Sequence, residues 1–350
     1  MERVAYRVID ANFNRAREAI RVIEDFCRFA LNSGPLTERA KQIRHELSSA
    51  IGKLDVGRLI SSRDTLGDVG VGKTVDGQLI RGELRDCFTA GCKRLTEALR
   101  VLAETTQTQD RFVAETIEKL RYAAYTLEKD IVLFSDALEK FKRVRLYVII
   151  TSNLPADVIS LACKCAASGA DCIQLRAKAV EDDKLYAIAV EFVQICRDAD
   201  VLSVINDRVD VAVAAGADGV HLGQNDLPIE CVRRLQLAPL IIGKSTHSLE
   251  QLRAACEERP TYAALGPVFA TETKPTAEAV GLDYVGQATE ILADTGICNV
   301  AIGGITLDNV EDVLRTGAEA IAVCAAVTKA GDPAKACRKF KEKITAFKKE

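Results

Sequence analysis

Eight short apolar runs rich in β-branched residues punctuate residues 145–350, with longer amphipathic stretches between them. They are LYVIIT (146–151), CIQLR (172–176), LSVIND (202–207), GVHLGQ (219–224), IIGKST (241–246), AALGPV (263–268), NVAIGGI (299–305) and AIAVCAAV (320–327). A continuous apolar run of this length reads as a strand buried on both faces. Eight of them alternating with helical stretches predict a (β/α)8 TIM barrel, with any site at the carboxyl ends of the strands. A doubly wound open sheet is the alternative, but no G-x-G-x-x-G follows the first run.

The chain before Lys140–Arg145 has another period. Phe13, Ala16, Ile20, Ile23 and Cys27, and later Leu95, Leu99 and Leu102, recur at helical spacing. A mostly α-helical N-terminal domain over 1–140 is therefore expected ahead of the barrel at 145–350, and 350 residues exceed what one core usually serves. Within it, NFNRAREAIRVIED at 12–25 aligns with GCKRLTEALRVLAE at 91–104, which predicts two related helices packed face to face. SSRDTLGDVGVGKTVDGQ at 61–78 has little periodicity and reads as a long ordered or ligand-binding loop.

A net charge of -3 gives no basic field, so nucleic acid is not an expected partner and anion-binding cations must be local. No run of about 18 apolar residues is present to span a membrane, and the amino terminus lacks the apolar core of a signal peptide. The twelve cysteines are scattered without zinc spacing. Cytoplasmic residence with reduced thiols is the expectation.

Chemistry concentrates at the predicted strand ends. Asp207 and Asp226 each follow a strand, where two carboxylates on adjacent strands suit one divalent cation, Mg²⁺ before zinc; helix capping or solvation is the competing reading for either alone. Gln174, Arg176 and Lys178 share a face if their strand persists, joining an amide to two cations. Ser245, and Thr271, Thr273 and Lys274 in the loop after the sixth run, add hydroxyls and a cation. Gly303–Gly304 and the turn at Val323–Ala326 could present backbone amides to a phosphate. His221 and His247 are more often structural hydrogen bonders than bases, and neither is assigned a proton.

In order, QLRAK, IND, GVHLGQND, GKSTHS, GPVFATETK and AIGGI closely resemble the thiamine-phosphate synthase family over essentially all of 145–345. The resemblance implies joining of hydroxymethylpyrimidine diphosphate to a thiazole phosphate, or its carboxylated form, with release of pyrophosphate. It implies Mg²⁺ on Asp207 and Asp226. The pyrimidine diphosphate would lie on Gln174, Leu175, Arg176, Ala177, Lys178, Asn206, Ser245 and Lys274. The thiazole phosphate would lie on Thr271, Glu272, Thr273, Gly303 or Gly304, Cys324 and Ala325. Arg176, Lys178, Ser245 and Lys274 are the implied catalytic residues. Ala325 departs from the family, which usually has serine there.

The first half resembles the helical domain fused ahead of this synthase in some bacteria, through RVIDANFNRAREAIRVIEDFCRF, RHEL at 44–47 and SRDTLGDVG at 62–70. That domain is associated with phosphorylating hydroxymethylpyrimidine phosphate. No P-loop motif is present. Arg17 and Arg21, with Arg63, Asp64 and Asp68, are the candidate site; a purely architectural or dimerising role competes. For the barrel the rivals are a phosphate-binding isomerase or aldolase, with Lys178 or Lys244 as its strand-end lysine, and a non-catalytic binding regulator. Small-molecule substrates are the expected partners, and a homo-oligomer is left open.

Overall fold

The computed structural model describes residues 2–73, 80–235, 240–271 and 278–347. The chain divides into two compact units, Met1–Val132 and Leu133–Glu350.

The first unit is helical. Helix α1 (Glu2–Asp25) runs into a π-turn at Phe26–Ala30, followed by α2 (Gly34–Ile51), α3 (Val56–Ser61) and α4 (Leu84–Thr106); α5 (Arg111–Phe141) begins in this unit. The helix periodicity is realised as buried stripes: Ile9, Ala16, Ile20 and Ile23 on α1, and Cys92, Leu95, Leu99 and Leu102 on α4. These two helices carry the internal repeat, and they pack together. Phe26 stacks on Phe88 at 4.6 Å between centroids, which anchors the π-turn to α4. Glu24 is buried and offset by Arg44 at 2.9 Å and Arg21 at 3.2 Å. A carboxylate out of water needs such partners, since removing one leaves an uncompensated buried charge.

The second unit is a closed parallel barrel, β1 to β8 in order: β1 (Leu146–Thr151), β2 (Cys172–Arg176), β3 (Leu202–Asn206), β4 (Gly219–Leu222), β5 (Ile241–Thr246), β6 (Tyr262–Leu265), β7 (Cys298–Ile302) and β8 (Ala320–Val323). Leu146 pairs with Ile321 and Val148 with Val323, closing the barrel and excluding the open sheet. Several expected strands stop short of their apolar runs. The backbone leaves the sheet at Asp207 (φ 62°), Gly303 (φ 102°) and Gly304 (φ 65°), and a turn of helix (Ala325–Thr328) takes the end of the eighth run.

Pleat alternation makes two apolar layers. Leu146, Val148, Ile150, Ile173 and Leu175 face the surrounding helices. Tyr147, Ile149, Cys172, Val204, Tyr262, Val300 and Ala322 fill the interior, together with Ala137, Leu138 and Phe141 from the end of α5. Phe141 stacks on Tyr262 with 4.2 Å between centroids and the ring planes nearly parallel. The units therefore divide inside α5, ahead of the Lys140–Arg145 boundary read from the sequence, because the last turns of that helix belong to the barrel core.

Candidate active site

The strand ends enclose a cavity of about 810 Å³. It is lined by Gln174, Arg176 and Lys178 from β2 and its loop, Asn206 and Asp207 from β3, Asp226 beyond β4, Ser245 on β5, Thr271 beyond β6, Gly303 and Gly304 after β7, and Cys324 and Ala325 after β8. Among the described residues the sequence candidates thus meet in one place, with two exceptions. Leu175 is buried in the layer between strands and helices, and Ala177 packs against that layer, so neither side chain reaches the cavity. Alternation along β2 dictates this for Leu175, which points out between the inward Gln174 and Arg176; Ala177 already lies past the strand's end. Glu272, Thr273 and Lys274 lie outside the described residues.

Asp207 takes a left-handed backbone conformation, with its N–H donating to the His221 carbonyl at 2.8 Å. Its carboxylate meets the Lys178 ammonium at 3.0 Å. Lys178 lies beyond the end of β2, so its place beside Asp207 comes from the loop and not from a continued strand. The Asp226 carboxylate accepts from the Gly223 N–H at 2.6 Å. Burial holds the Asp226 carboxyl above its usual range, against the pull of that N–H, and the nearby charge of Asp207 and a hydrogen bond with it push the same way. Two acidic groups this close favour a shared cation. Among the described residues no three His, Cys, Asp or Glu side chains gather at one point, so a cation here would complete its shell with ligand oxygens and water, as Mg²⁺ does.

On the opposite wall, Gly303 allows the loops after β6 and β7 to touch. A Cβ there would lie 2.4 Å from Pro267 Cβ, and its φ of 102° is one that only glycine adopts easily. Cys324 Sγ lies 3.6 Å from Thr151 Oγ1. Sequence reasoning did not assign several further lining groups, among them Gln224, which donates to the Ser245 carbonyl at 2.5 Å. His221 and His247 also line the cavity. His247 has a structural bond through Nδ1 to the Gly266 carbonyl. His221 lies between Tyr262 and Ser245, at 2.9 Å from each.

A family described as thiamine monophosphate synthase matches residues 146–327, just over half the chain. The chain is 39% identical to the thiamine-phosphate synthase of Rhodopirellula baltica, over 93% of this chain and 88% of that one. The chain belongs to the thiamine monophosphate synthase family. It is 36% identical to the thiamine-phosphate synthase of Synechocystis sp., over 94% of this chain and 93% of the relative. The solved structure of thiamine phosphate pyrophosphorylase from Pyrococcus furiosus superposes with a TM-score of 0.55 at 36% identity, covering 60% of this chain and 98% of that one. Like that family, this synthase is a transferase working on small molecules. Residues 7–130 match the ThiD2 family. No helix among the described residues is long and apolar enough to cross a membrane.

In the first unit the expected site is rearranged. Arg63 makes a two-point ion pair with Asp10 at 2.7 and 2.8 Å. Arg7 donates to the Asp64 carbonyl at 3.0 Å and lies within 3.9 Å of the Asp64 and 3.7 Å of the Asp68 carboxylates. Arg21 pairs with Glu24, and Arg17 lies over the Phe13 ring. Arg7 therefore serves the loop where Arg17 and Arg21 were expected. The loop docks near the start of α1, and at 1.5 Å per residue Arg21 lies roughly 20 Å further along that helix.

Proposed function

We propose that the barrel joins hydroxymethylpyrimidine diphosphate to a thiazole phosphate in an Mg²⁺-dependent, dissociative step. The observation carrying this reading is the convergence of Asp207 and Asp226 with Arg176 and Lys178 on one cavity. The bond between the pyrimidine methylene and the diphosphate oxygen breaks, and its electron pair leaves with pyrophosphate. The lone pair of the thiazole nitrogen then forms the new carbon–nitrogen bond. No proton has to move to or from the reacting atoms, so the protein's task is to neutralise and align.

Asp207 and Asp226 would hold the cation. When bound, Mg²⁺ supplies positive charge to the departing diphosphate. Arg176, Lys178 and, by resemblance, Lys274 act on the same oxygens. Gln174, Asn206 and Ser245 orient the pyrimidine diphosphate. Thr271, with the backbone at Gly303, Gly304, Cys324 and Ala325, takes the thiazole phosphate, with Glu272 and Thr273 joining by resemblance. Arg176→Ala tests the assignment: kcat for pyrophosphate release should fall about 10²-fold, with the KM for thiazole phosphate changed less than threefold. Loss confined to thiazole phosphate affinity would mean the two ligands are exchanged.

For the first unit we propose transfer of the ATP γ-phosphoryl group to a phosphate oxygen of hydroxymethylpyrimidine phosphate, which would supply the barrel's substrate. It is supported by the match at residues 7–130 and by a loop that brings Arg7, Asp64 and Asp68 together. The full chain given ATP, Mg²⁺ and hydroxymethylpyrimidine phosphate should form the diphosphate, and Asp64→Ala should slow this about tenfold or more, since a carboxylate holding a nucleotide's metal acts on the transferring group. Absence of ATP-dependent diphosphate would leave the unit a structural role.

A further inference from the structure

Five buried side chains from five strands form a single hydrogen-bond chain across the barrel, in which Gln174, His221 and Ser245 also line the cavity. Gln174 Nε2 donates to Tyr147 Oη at 2.8 Å, Tyr147 Oη lies 2.9 Å from Tyr262 Oη, Tyr262 Oη lies 2.9 Å from His221 Nδ1, and His221 Nε2 lies 2.9 Å from Ser245 Oγ. We propose that this chain has one direction, which fixes His221 as its Nε2–H tautomer and frees the Ser245 hydroxyl proton for the ligand, so that Ser245 accepts only a hydrogen-bond acceptor as its partner.

The direction follows from the first donor. Because Tyr147 Oη receives the Gln174 N–H, its own proton goes to the strongest acceptor in reach, Tyr262 Oη. The Cys172 thiol beside it is a weak acceptor. The Tyr262 proton then faces His221 Nδ1, which must be bare. A neutral imidazole with bare Nδ1 carries its proton on Nε2 and donates it to Ser245 Oγ. Ser245, having accepted there, turns its proton into the cavity it lines. Burial pushes both tyrosines well above the usual phenol range, so both remain donors at any working pH.

The chain is held firmly at its Ser245 end and at its middle. Gln224 fixes the Ser245 carbonyl at 2.5 Å, and Phe141 seals the Tyr262 ring from below at 4.2 Å. A closed network of this kind leaves little freedom for any one proton. His221, Tyr262 and Tyr147 are thus positioning residues acting through Ser245. On the condensation reading above, the group they select is a ring nitrogen or another acceptor on the pyrimidine substrate.

The test combines NMR on the full-length chain with kinetics. The sequence holds three histidines, His45, His221 and His247, so ¹⁵N-histidine labelling gives few signals and His221→Gln identifies the one that matters. At roughly pH 8, where imidazole is neutral, long-range ¹H–¹⁵N correlation should show His221 bare at Nδ1 and protonated at Nε2. An Nδ1–H tautomer would overturn the proposal, and this arm needs no substrate, so it fails independently of the condensation reading. Tyr262→Phe should mix the tautomers and lower kcat/KM for the pyrimidine diphosphate about fivefold to tenfold while leaving the KM for thiazole phosphate unchanged. His221→Gln, whose amide reaches as far as Nε2, should retain more activity than His221→Asn. Wild-type tautomer and kinetics in Tyr262→Phe, or equal activity in the two His221 variants, would mean the chain only fills space.

Discussion

Asp207→Asn and Asp226→Asn should each reduce synthase turnover by about 10²–10³-fold or more, with the barrel still folded, because on the proposed reading each removes a carboxylate that would hold the cation facing the leaving group, and neither belongs to the apolar layers. Asparagine is the informative replacement. Asp207 has φ of 62°, a conformation asparagine tolerates and alanine resists, so Asp207→Ala would add about 1–2 kcal/mol of backbone strain to the loss of the carboxylate. Asp226 accepts the Gly223 N–H, which an asparagine oxygen can still do. The check is kcat at saturating levels of both substrates over a range of Mg²⁺, with thermal melts alongside. Near-normal turnover at low Mg²⁺ in either variant would remove the metal assignment.

Gly243→Ala should be strongly damaging to the barrel. A Cβ there would lie 2.1 Å from Tyr262 Cζ and 2.4 Å from its hydroxyl oxygen. The ring cannot retreat, since Phe141 lies against it at 4.2 Å. Either β5 shifts from β6 or Tyr262 leaves its site, at a cost of about 1–3 kcal/mol or more for overpacking a dense core. For a unit of this size that lowers Tm by roughly 2–4 °C per kcal/mol. Activity should fall too, because displacing Tyr262 breaks its bonds to Tyr147 and His221. A smaller residue in the double variant Gly243→Ala/Tyr262→Val should recover much of the stability and little of the activity. Unchanged Tm in Gly243→Ala would show that the two strands have room the structure does not show.

The barrel was legible because its parallel strands are buried on both faces, so each wrote itself as an unbroken apolar run. Their carboxyl ends were not, because a run such as AIAVCAAV continues in the same residue types after the backbone turns at Cys324 into a helix. Asp207, Asp226, Arg176 and Ser245 could be found as polar residues interrupting apolar runs. Leu175 and Ala177 were carried in with their neighbours; the pleat turns Leu175 outward, and Ala177, just past the strand, packs against the same outer layer. Tyr147 and Tyr262 left no trace as polar groups. A tyrosine inside an apolar run reads as core, and the hydrogen bond between them joins residues 115 positions apart. Arg17 and Arg21 lie four apart on α1, but that spacing could not say which end of the helix the glycine-rich loop would meet. Arg7 and Asp10 settle that through contacts made 57 and 53 positions away in sequence.

The most direct measurement is a ³¹P NMR time course of the full-length chain with hydroxymethylpyrimidine diphosphate, thiazole phosphate and Mg²⁺. Pyrophosphate and thiamine phosphate should appear one for one as the diphosphate disappears, and a chelator added mid-course should stop both signals together. Pyrophosphate appearing without thiamine phosphate, or a time course indifferent to the chelator, would contradict the account.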